Sequence, residues 1–167
     1  GDLIRTSADT DITDVTFATG SSDMRLYVGG LVGDKQYEDV RDSSASGNIL
    51  ITFMDSQTVF VGGLLGTSSG TDQIVSNSFA TGNIITSADY YSRIGGLIGN
   101  SFQTTIDNSY ATGNIDATAG TMGGLIGEAY GHIHSSFATG RVTGQAGTIG
   151  NVGTTSFFPS QNIGCYG

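Results

Sequence analysis

Two short motifs alternate along this chain, and their recurrence constrains the fold more than any other feature. The first has the pattern Gly-Gly-Leu-apolar-Gly, and its four copies begin at Gly29, Gly62, Gly95 and Gly123. The second has the pattern Ser/Thr-aromatic-Ala-Thr-Gly, with four aromatic centres: Phe17, Phe79, Tyr110 and Phe137. Repeats with periods of 20 to 50 residues are typical of solenoids, propellers and other arrays of stacked units.

The length of the repeat varies only between the motifs. Successive glycine motifs begin 33, 33 and 28 residues apart, and the variable segments lie at 34–40, 50–57, 85–92 and 100–105. Insertions confined to fixed places predict loops at the corners of a stacked structure. A degenerate glycine motif at 149–153 and a degenerate aromatic motif around Ser44 bring the number of repeats to about five.

Both motifs predict strands. Residues alternate with a period of two around each aromatic centre, which is the periodicity of a strand. Three glycines within five residues would cost a helix about 0.8–1 kcal/mol each, so a helix is a poor alternative for the glycine motif. Two or three short strands in each repeat favour an all-β fold, a parallel β-solenoid (β-helix) of about five coils with atypical terminal caps.

We expect a single domain over residues 1–167. Residues 1–14 are predicted to form an N-terminal cap or edge, residues 15–153 the repeats, and residues 154–167 a C-terminal cap, because both terminal segments depart from the repeat. The C-terminal segment also holds the only proline, Pro159, and the only cysteine, Cys165.

Stacked coils place equivalent side chains in ladders about 4.8 Å apart. We predict an internal aromatic ladder of Phe79, Tyr110 and Phe137, an internal aliphatic ladder of Leu64, Leu97 and Leu125, and a corner ladder of the amides Asn48, Asn83 and Asn114. The residues assigned to the structural repeat are Gly30, Leu31, Gly33, Gly63, Leu64, Gly66, Gly96, Leu97, Gly99, Gly124, Leu125, Gly127, Phe17, Phe79, Tyr110 and Phe137.

If the aromatic residues face inward, the Ser and Ala on either side of each must face outward. This defines a candidate packing face of small uncharged residues: Ser78, Ala80, Ser109, Ala111, Ser136 and Ala138. The face is either a slim solvent face or a surface for another sheet, a neighbouring subunit or a flat ligand. Ice binding would require ranks of exposed Thr, but Thr81, Thr112 and Thr139 share the aromatic side and are expected inside or at a corner.

Charge and hydropathy exclude several kinds of partner. The net charge is −9, so nucleic acid and anionic membranes, which call for a basic patch, are not expected partners. No apolar run approaches the roughly 18 residues of a membrane helix. A single cysteine excludes a disulfide framework. The chain begins at Gly1 within a repeat-like segment, which suggests a processed chain or a piece of a longer one.

No pattern predicts catalysis or a cofactor. His132 and His134 should both face outward around an inward Ile133, and without a third ligand they do not predict a metal site. The acids Glu38 and Asp39, or Asp107 and Asp116, could be imagined as sugar-cleaving pairs, but they do not recur. Calcium is the remaining cofactor considered, because three closely spaced acids precede the first repeat: Asp9, Asp11 and Asp14. Their spacing matches neither an EF-hand nor a calcium roll.

The glycine motif resembles the Gly-Leu-any-Gly repeat that names the GLUG family, and the aromatic motif is similar to the segment between such repeats. The resemblance covers roughly residues 12 to 158. In that family the repeats occur in large bacterial and archaeal surface proteins, including filamentous-haemagglutinin-like adhesins and the non-catalytic regions of IgA-specific metalloendopeptidases. The resemblance therefore implies an extracellular or cell-surface module without catalytic residues.

Three classes of function remain at this stage. The preferred hypothesis is a structural module of an adhesin, stalk or self-assembling fibre, a rigid rod that stacks head to tail or serves as part of a larger surface protein. The alternative is a module that binds carbohydrate or a host protein through the corner loops 34–40 and 90–91 and through Tyr130. An ice-binding protein or a polysaccharide-degrading enzyme is less favoured.

Overall fold

The computed structural model describes residues 1–13, 25–52, 58–87 and 91–144, and the backbone of 149–155 and 163–165. Within these ranges the chain forms strands and no helix, so the described part holds no helix that could span a membrane. The strands are β1 (Leu3–Ile4), β2 (Ser7–Ala8), β3 (Arg25–Gly29), β4 (Val32–Gln36), β5 (Val40–Arg41), β6 (Ser44–Ala45), β7 (Ile49–Ile51), β8 (Thr58–Gly62), β9 (Leu65–Ser76), β10 (Phe79–Ala80), β11 (Ile84–Thr86), β12 (Arg93–Gly95), β13 (Ile98–Asp107), β14 (Tyr110–Ala111), β15 (Ile115–Ala117), β16 (Thr121–Tyr130), β17 (Ile133–His134), β18 (Ser136–Ala138), β19 (Val142–Gly144), β20 (Ile149–Thr155) and β21 (Ile163–Cys165).

The strands form three parallel sheets in which each strand pairs with the equivalent strand of the next repeat. Phe79 lies opposite Tyr110, and Ile84 lies opposite Ile115. One sheet has the order β2-β6-β10-β14-β18-β21, another β7-β11-β15-β19, and the third is built around β9, β13 and β16. The predicted parallel β-solenoid is confirmed. The six strands of the first sheet mark six successive rungs, one more than the number of coils predicted.

The terminal segments continue the ladder. In the segment assigned to an N-terminal cap or edge, Leu3 pairs with Val40, and Ser7 pairs with Ser44. In the segment assigned to a C-terminal cap, β21 pairs with β18. Both segments therefore contribute rungs in register with their neighbours.

The interior is divided into two apolar columns that meet at a narrow waist. One column contains the buried leucines of the glycine motif, and the other contains the isoleucines that follow the aromatic motif. At this waist the glycine motif lies against the alanine of the aromatic motif, which belongs to the leucine column. A Cβ on Gly63 would stand 2.8 Å from Ala80 Cβ, and one on Gly96 would stand 2.9 Å from Ala111 Cβ. Real Cβ atoms do not approach so closely, so only glycine fits at this position.

The aliphatic ladder is confirmed, because Leu64, Leu97 and Leu125 are fully buried. The predicted orientation of the aromatic motif is wrong. Phe79, Tyr110 and Phe137 lie on the outside, half-buried. The candidate packing face is wrong for the same reason, because its six residues are all inside and at most 2% exposed: Ser78, Ala80, Ser109, Ala111, Ser136 and Ala138. The waist admits a methyl group opposite each glycine but has no room for a ring.

The buried serines of this motif form a hydrogen-bonded ladder along the coil axis. The Ser43 N–H donates to Ser78 Oγ at 3.2 Å, the Ser78 N–H to Ser109 Oγ at 3.2 Å, and the Ser109 N–H to Ser136 Oγ at 3.1 Å. Each of these hydroxyls in turn donates to the carbonyl two residues before it. The serine column thus pairs backbone N–H groups that would otherwise be buried without partners at the corner.

The predicted asparagine ladder is confirmed at the next corner. Asn48 Oδ1 accepts the backbone N–H of Asn83 at 3.0 Å, and Asn83 Oδ1 accepts that of Asn114 at 2.9 Å. The column continues at both ends, where Asp11 accepts from Asn48 and the Arg141 N–H donates to Asn114. The side-chain oxygens thus accept hydrogen bonds from backbone N–H groups of the turn that would otherwise lack backbone partners.

Candidate binding cleft on the solenoid surface

Five of the aromatic rings that the structure describes form stacks in which the ring faces cover one another. Phe79 and Tyr110 lie 5.0 Å apart at an interplanar angle of 3°, and Tyr110 and Phe137 lie 5.3 Å apart at 9°. Tyr27 and Phe60 form a similar pair at 5.1 Å. Rings stacked in this way present mainly their edges, so these columns offer little ring face to a ligand.

A fourth aromatic pair has a different geometry. The rings of Phe102 and Tyr130 lie 5.7 Å apart but are tilted by 53°. Phe102 is 47% exposed and is one of six large apolar side chains that are exposed among the described residues. A tilted pair leaves part of a ring face open to contact.

Hydrogen bonds hold this pair in place. The Tyr130 hydroxyl donates to Glu128 Oε1 at 3.0 Å. The other oxygen of Glu128 is paired with Arg93 Nε, and Arg93 Nη1 donates to the carbonyl of Tyr91. Two of the residues predicted for corner-loop binding, Tyr91 and Tyr130, are therefore joined through one ion pair. Tyr90 lies outside the described residues.

Beside Phe102 the three neighbouring coils form a stepped cleft, because their connections differ in length. Five residues separate Ser69 from Val75, three separate Phe102 from Ile106, and two separate Tyr130 from Ile133, although these positions pair in register. The resulting cleft has a volume of about 180 Å³. It is lined by Thr71, Asp72, Gln103, Thr104, Thr105, Gly131 and His132. This stepped cleft brings together polar side chains from three coils.

The walls of the stepped cleft are fixed by local contacts. The Gln73 amide donates to the carbonyl of Thr71 at 3.0 Å and closes the longest loop. Asp72 and Gln103 have φ angles of 60° and 55°, which turn their side chains out of the strand direction. The Thr104 hydroxyl points inward and lies 3.1 Å from Ser68 Oγ, so the Thr104 backbone forms the floor.

A larger groove of about 460 Å³ follows the outer side of the β7-β11-β15-β19 sheet. Its exposed apolar residues are Leu50 and Ile85. Ligand sites combine apolar walls with a few convergent polar groups. The groove has this combination, with Leu50 and Ile85 beside Asp116 and Thr143, but no aromatic ring lies in its lining. We therefore develop the stepped cleft, whose residue Gln103 directly follows the exposed ring of Phe102.

The histidines behave as predicted, since Ile133 is fully buried between two half-buried rings. His132 and His134 lie parallel at 5.9 Å. Among the described residues no three His, Cys, Asp or Glu side chains are grouped as they would be around a metal ion. Asp11 of the calcium hypothesis is engaged with Asn48, while Asp14 lies outside the described residues, as do Phe17 and the side chain of Cys165.

Neither of the acid pairs considered for catalysis forms a converging pair of carboxylates. Asp39 accepts from Arg41 at 2.8 Å and from the Ile74 N–H at 2.8 Å, while Glu38 pairs with the amino terminus. Asp107 and Asp116 lie on strands of different sheets. Asp39 and Glu38 therefore join neighbouring coils, and neither pair forms a converging site.

The threonine rank was predicted inside or at a corner, and the structure corrects this. Thr81, Thr112 and Thr139 are exposed, because they share the outer side with the aromatic rings. The rank is one residue wide, with ring edges on one side and the asparagine corner on the other. It therefore lacks the two-dimensional array of hydroxyls that the ice-binding alternative requires.

Sequence reasoning missed a buried lysine. Lys35 was assigned to the corner loop 34–40, but it lies on β4 and is only 3% exposed. Its ammonium donates to Ser68 Oγ at 3.2 Å. Burial lowers the pKa of Lys35 to about 8, against the attraction of Asp39, Glu38 and Asp2. The signal was available, because Lys35 has the same register position as the buried Ser68 and Ser101.

Comparisons with known proteins agree with the repeat. The family model described as "The GLUG motif" matches residues 90–116 and 118–143. The chain is 42% identical over 112 residues to Halomucin of Haloquadratum walsbyi, covering 61% of this chain and 1% of that protein. It is 34% identical over 104 residues to the Immunoglobulin A1 protease of Streptococcus sanguinis, covering 60% and 6% respectively. The chain thus spans less than a tenth of either relative. No solved structure matches.

Proposed function

Because this chain carries GLUG repeats wound into a parallel β-solenoid, we propose that it is a non-catalytic structural module of a larger extracellular or cell-surface protein. Its work is that of a rigid spacer in an adhesin or stalk. The observation that carries the proposal is the sheet β2-β6-β10-β14-β18-β21, in which six rungs follow one another in register. The relatives support it, since Halomucin and an Immunoglobulin A1 protease are many times longer than this segment.

The physical basis is the backbone ladder. Hydrogen bonds between coils run along the axis and are repeated in three sheets, so bending would strain all three together. The serine and asparagine columns add side-chain bonds in the same direction. Stacked coils extend by adding further coils in register, so adjoining repeats of the same protein are the partner this proposal names. A second copy stacked head to tail is the other partner that this chemistry permits.

Small-angle X-ray scattering on the single chain and on a tandem of two copies tests the proposal. A rigid spacer lengthens by about 4.8 Å for each added rung while its cross-section stays constant. Two beads joined by a flexible connection would instead give a broad range of distances, and that result would contradict the spacer. Scattering across a concentration series distinguishes the two candidate partners. If a second copy stacks head to tail, the rod lengthens as the concentration rises. If the partner is the adjoining repeats of the same protein, the single chain stays monomeric.

A further inference from the structure

We propose that the stepped cleft, with the ring of Phe102 at its rim, binds one pyranose unit of a neutral saccharide. This goes beyond the spacer function, because it assigns a ligand site to one corner of the rod. The cleft lies where the connections of three successive coils shorten from five residues to three and then two. The longest connection, residues 70–74, contributes Thr71 and Asp72 to the lining, and the shortest, residues 131–132, contributes Gly131 and His132.

The size of the stepped cleft fits a small rigid group. Its volume of about 180 Å³ is below the roughly 300–1,000 Å³ of sites that enclose drug-sized ligands. It therefore suits a single ring, with the rest of an oligosaccharide lying outside. Gly131 allows the backbones of two coils to approach closely at the cleft, because a Cβ there would lie 2.3 Å from Thr104 O and 3.0 Å from Thr104 N.

The lining of the cleft has the polar chemistry of a polyol site. Asp72 contributes a carboxylate acceptor, Gln103 an amide that both donates and accepts, and Thr71 and Thr105 come from two different coils. A pyranose carries alternating hydroxyl donors and acceptors around its edge, and such a mixed set can bond them from several directions. Asp72 and Gln103 are both exposed.

The aromatic component adjoins the cleft along the chain and is not part of its lining. Phe102 precedes the cleft residue Gln103, and Tyr130 precedes the cleft residue Gly131. Their tilted arrangement exposes part of a ring face, unlike the closed stacks of Phe79 with Tyr110 and of Tyr27 with Phe60. The C–H face of a sugar packs against such a surface, and the ion pair of Glu128 with Arg93 fixes the Tyr130 side of the pair.

A neutral saccharide suits the charge of this corner. Asp72 is the only acid among the lining residues, and the chain has a net charge of −9, so anionic sugars would be repelled. A basic peptide is the competing ligand class, because a carboxylate beside an exposed ring also attracts a Lys or Arg side chain. The ring and the mixed donor and acceptor set favour the saccharide.

The test is a titration of the ¹⁵N-labelled chain with cellohexaose, chitohexaose and mannohexaose up to 10 mM, followed by amide NMR. We expect at least one of them to shift resonances in 70–72, 103–105 and 131–132. Phe102→Ala should weaken binding about fivefold, the factor expected for uncovering ~40 Å² of apolar contact. Gln103→Gly should also weaken it, and glycine accepts the φ of 55° at this position, so the backbone is retained. Ile85→Ala removes an exposed apolar residue on another sheet and should leave binding unchanged.

Three outcomes would overturn the proposal. The first is the absence of shifts at the cleft with all three saccharides. The second is an equal loss in Ile85→Ala and Phe102→Ala. The third is a cleft that binds hexa-lysine, in a manner removed by Asp72→Asn and by 0.5 M salt, but none of the sugars. None of these results bears on the scattering test, so the spacer proposal and the saccharide-site proposal can be refuted independently of each other.

Discussion

Lys35 gives the most quantitative test of the interior, because it is the single lysine of the chain and it is buried. The change is Lys35→Met, which keeps an unbranched apolar side chain of similar length. Burial lowers the pKa of the folded-state ammonium to about 8, from the ordinary value of 10.5. Between these values the unfolded chain binds one proton more than the folded chain, so the free energy of unfolding of the parent protein rises with pH.

The size of this effect follows from the shift. One pKa unit corresponds to about 1.4 kcal/mol, so the parent should gain about 2–3 kcal/mol relative to Lys35→Met between pH 7 and pH 10. Below about pH 7 both states of the parent are protonated, and the difference between the two proteins should be constant. Comparing the two proteins at each pH cancels the contributions of the titratable groups that they share.

Two measurements check the prediction. Selective ¹⁵N labelling of lysine yields one side-chain signal, whose titration reports the folded-state pKa directly. Urea unfolding of both proteins at half-unit pH intervals gives the free-energy difference, with constant m-values as the control for a common transition. A lysine that titrates near 10.5, or a stability difference independent of pH, would refute the burial of a charged amine beside Ser68.

Two further substitutions test the ladders. Ser109→Ala should lower the free energy of unfolding by about 1–3 kcal/mol, because the buried N–H of Ser78 loses its acceptor. The control Thr112→Ala, at an exposed neighbouring position, should change it by less than about 0.5 kcal/mol. Equal effects of the two substitutions in urea unfolding would contradict the serine ladder. Tyr110→Ala should cost about 1–2 kcal/mol through its two outer stacking contacts, and Leu97→Ala about 2–5 kcal/mol through a cavity in the core. A larger loss for Tyr110→Ala than for Leu97→Ala would mean that the rings face inward after all.

The repeat spacing was enough to predict the solenoid, the leucine ladder and the asparagine corner. Each of these depends on register alone, since residues one repeat apart must stack when parallel coils pair. Leu97 and Asn83 could therefore be placed without knowing how wide the coil is. The same spacing did not foresee that Leu3 and Ile163 would continue the ladder, because the terminal segments keep the pairing without keeping the motif.

The side-chain orientation of the aromatic motif required information that alternation does not contain. A period of two shows that Tyr110 and Thr112 share a face, but it does not show which face is inside. The size of the aromatic ring suggested that it faces the interior. The small side chains face the interior instead, because Ala111 fits against Gly96. The sequence does hold this signal, in the coincidence of a Gly-Gly pair and an Ala in every repeat. It becomes readable only when the two motifs are known to meet across the interior.

The stepped cleft could not be predicted for a different reason. Its location follows from differences in loop length between neighbouring coils, and the variable segment 100–105 was identified. Its shape also depends on the left-handed backbone of Asp72 and Gln103 and on the inward turn of Thr104, which no local pattern specifies. The repeat spacing aligns Lys35 with Ser68, but the whole variable segment 34–40 was assigned to a corner loop, so the register of β4 on β9 was not used.

The lengths of the successive coils have a consequence under tension. Equivalent serines lie 35, 31 and 27 residues apart along the chain. Each coil contributes only about 4.8 Å to the length of the stack, but a coil pulled free would extend to roughly 120, 105 or 90 Å at ~3.4 Å per residue. A stretched stack would therefore lengthen in discrete jumps of unequal size, one coil at a time, and the order of those jumps would identify which coil had opened.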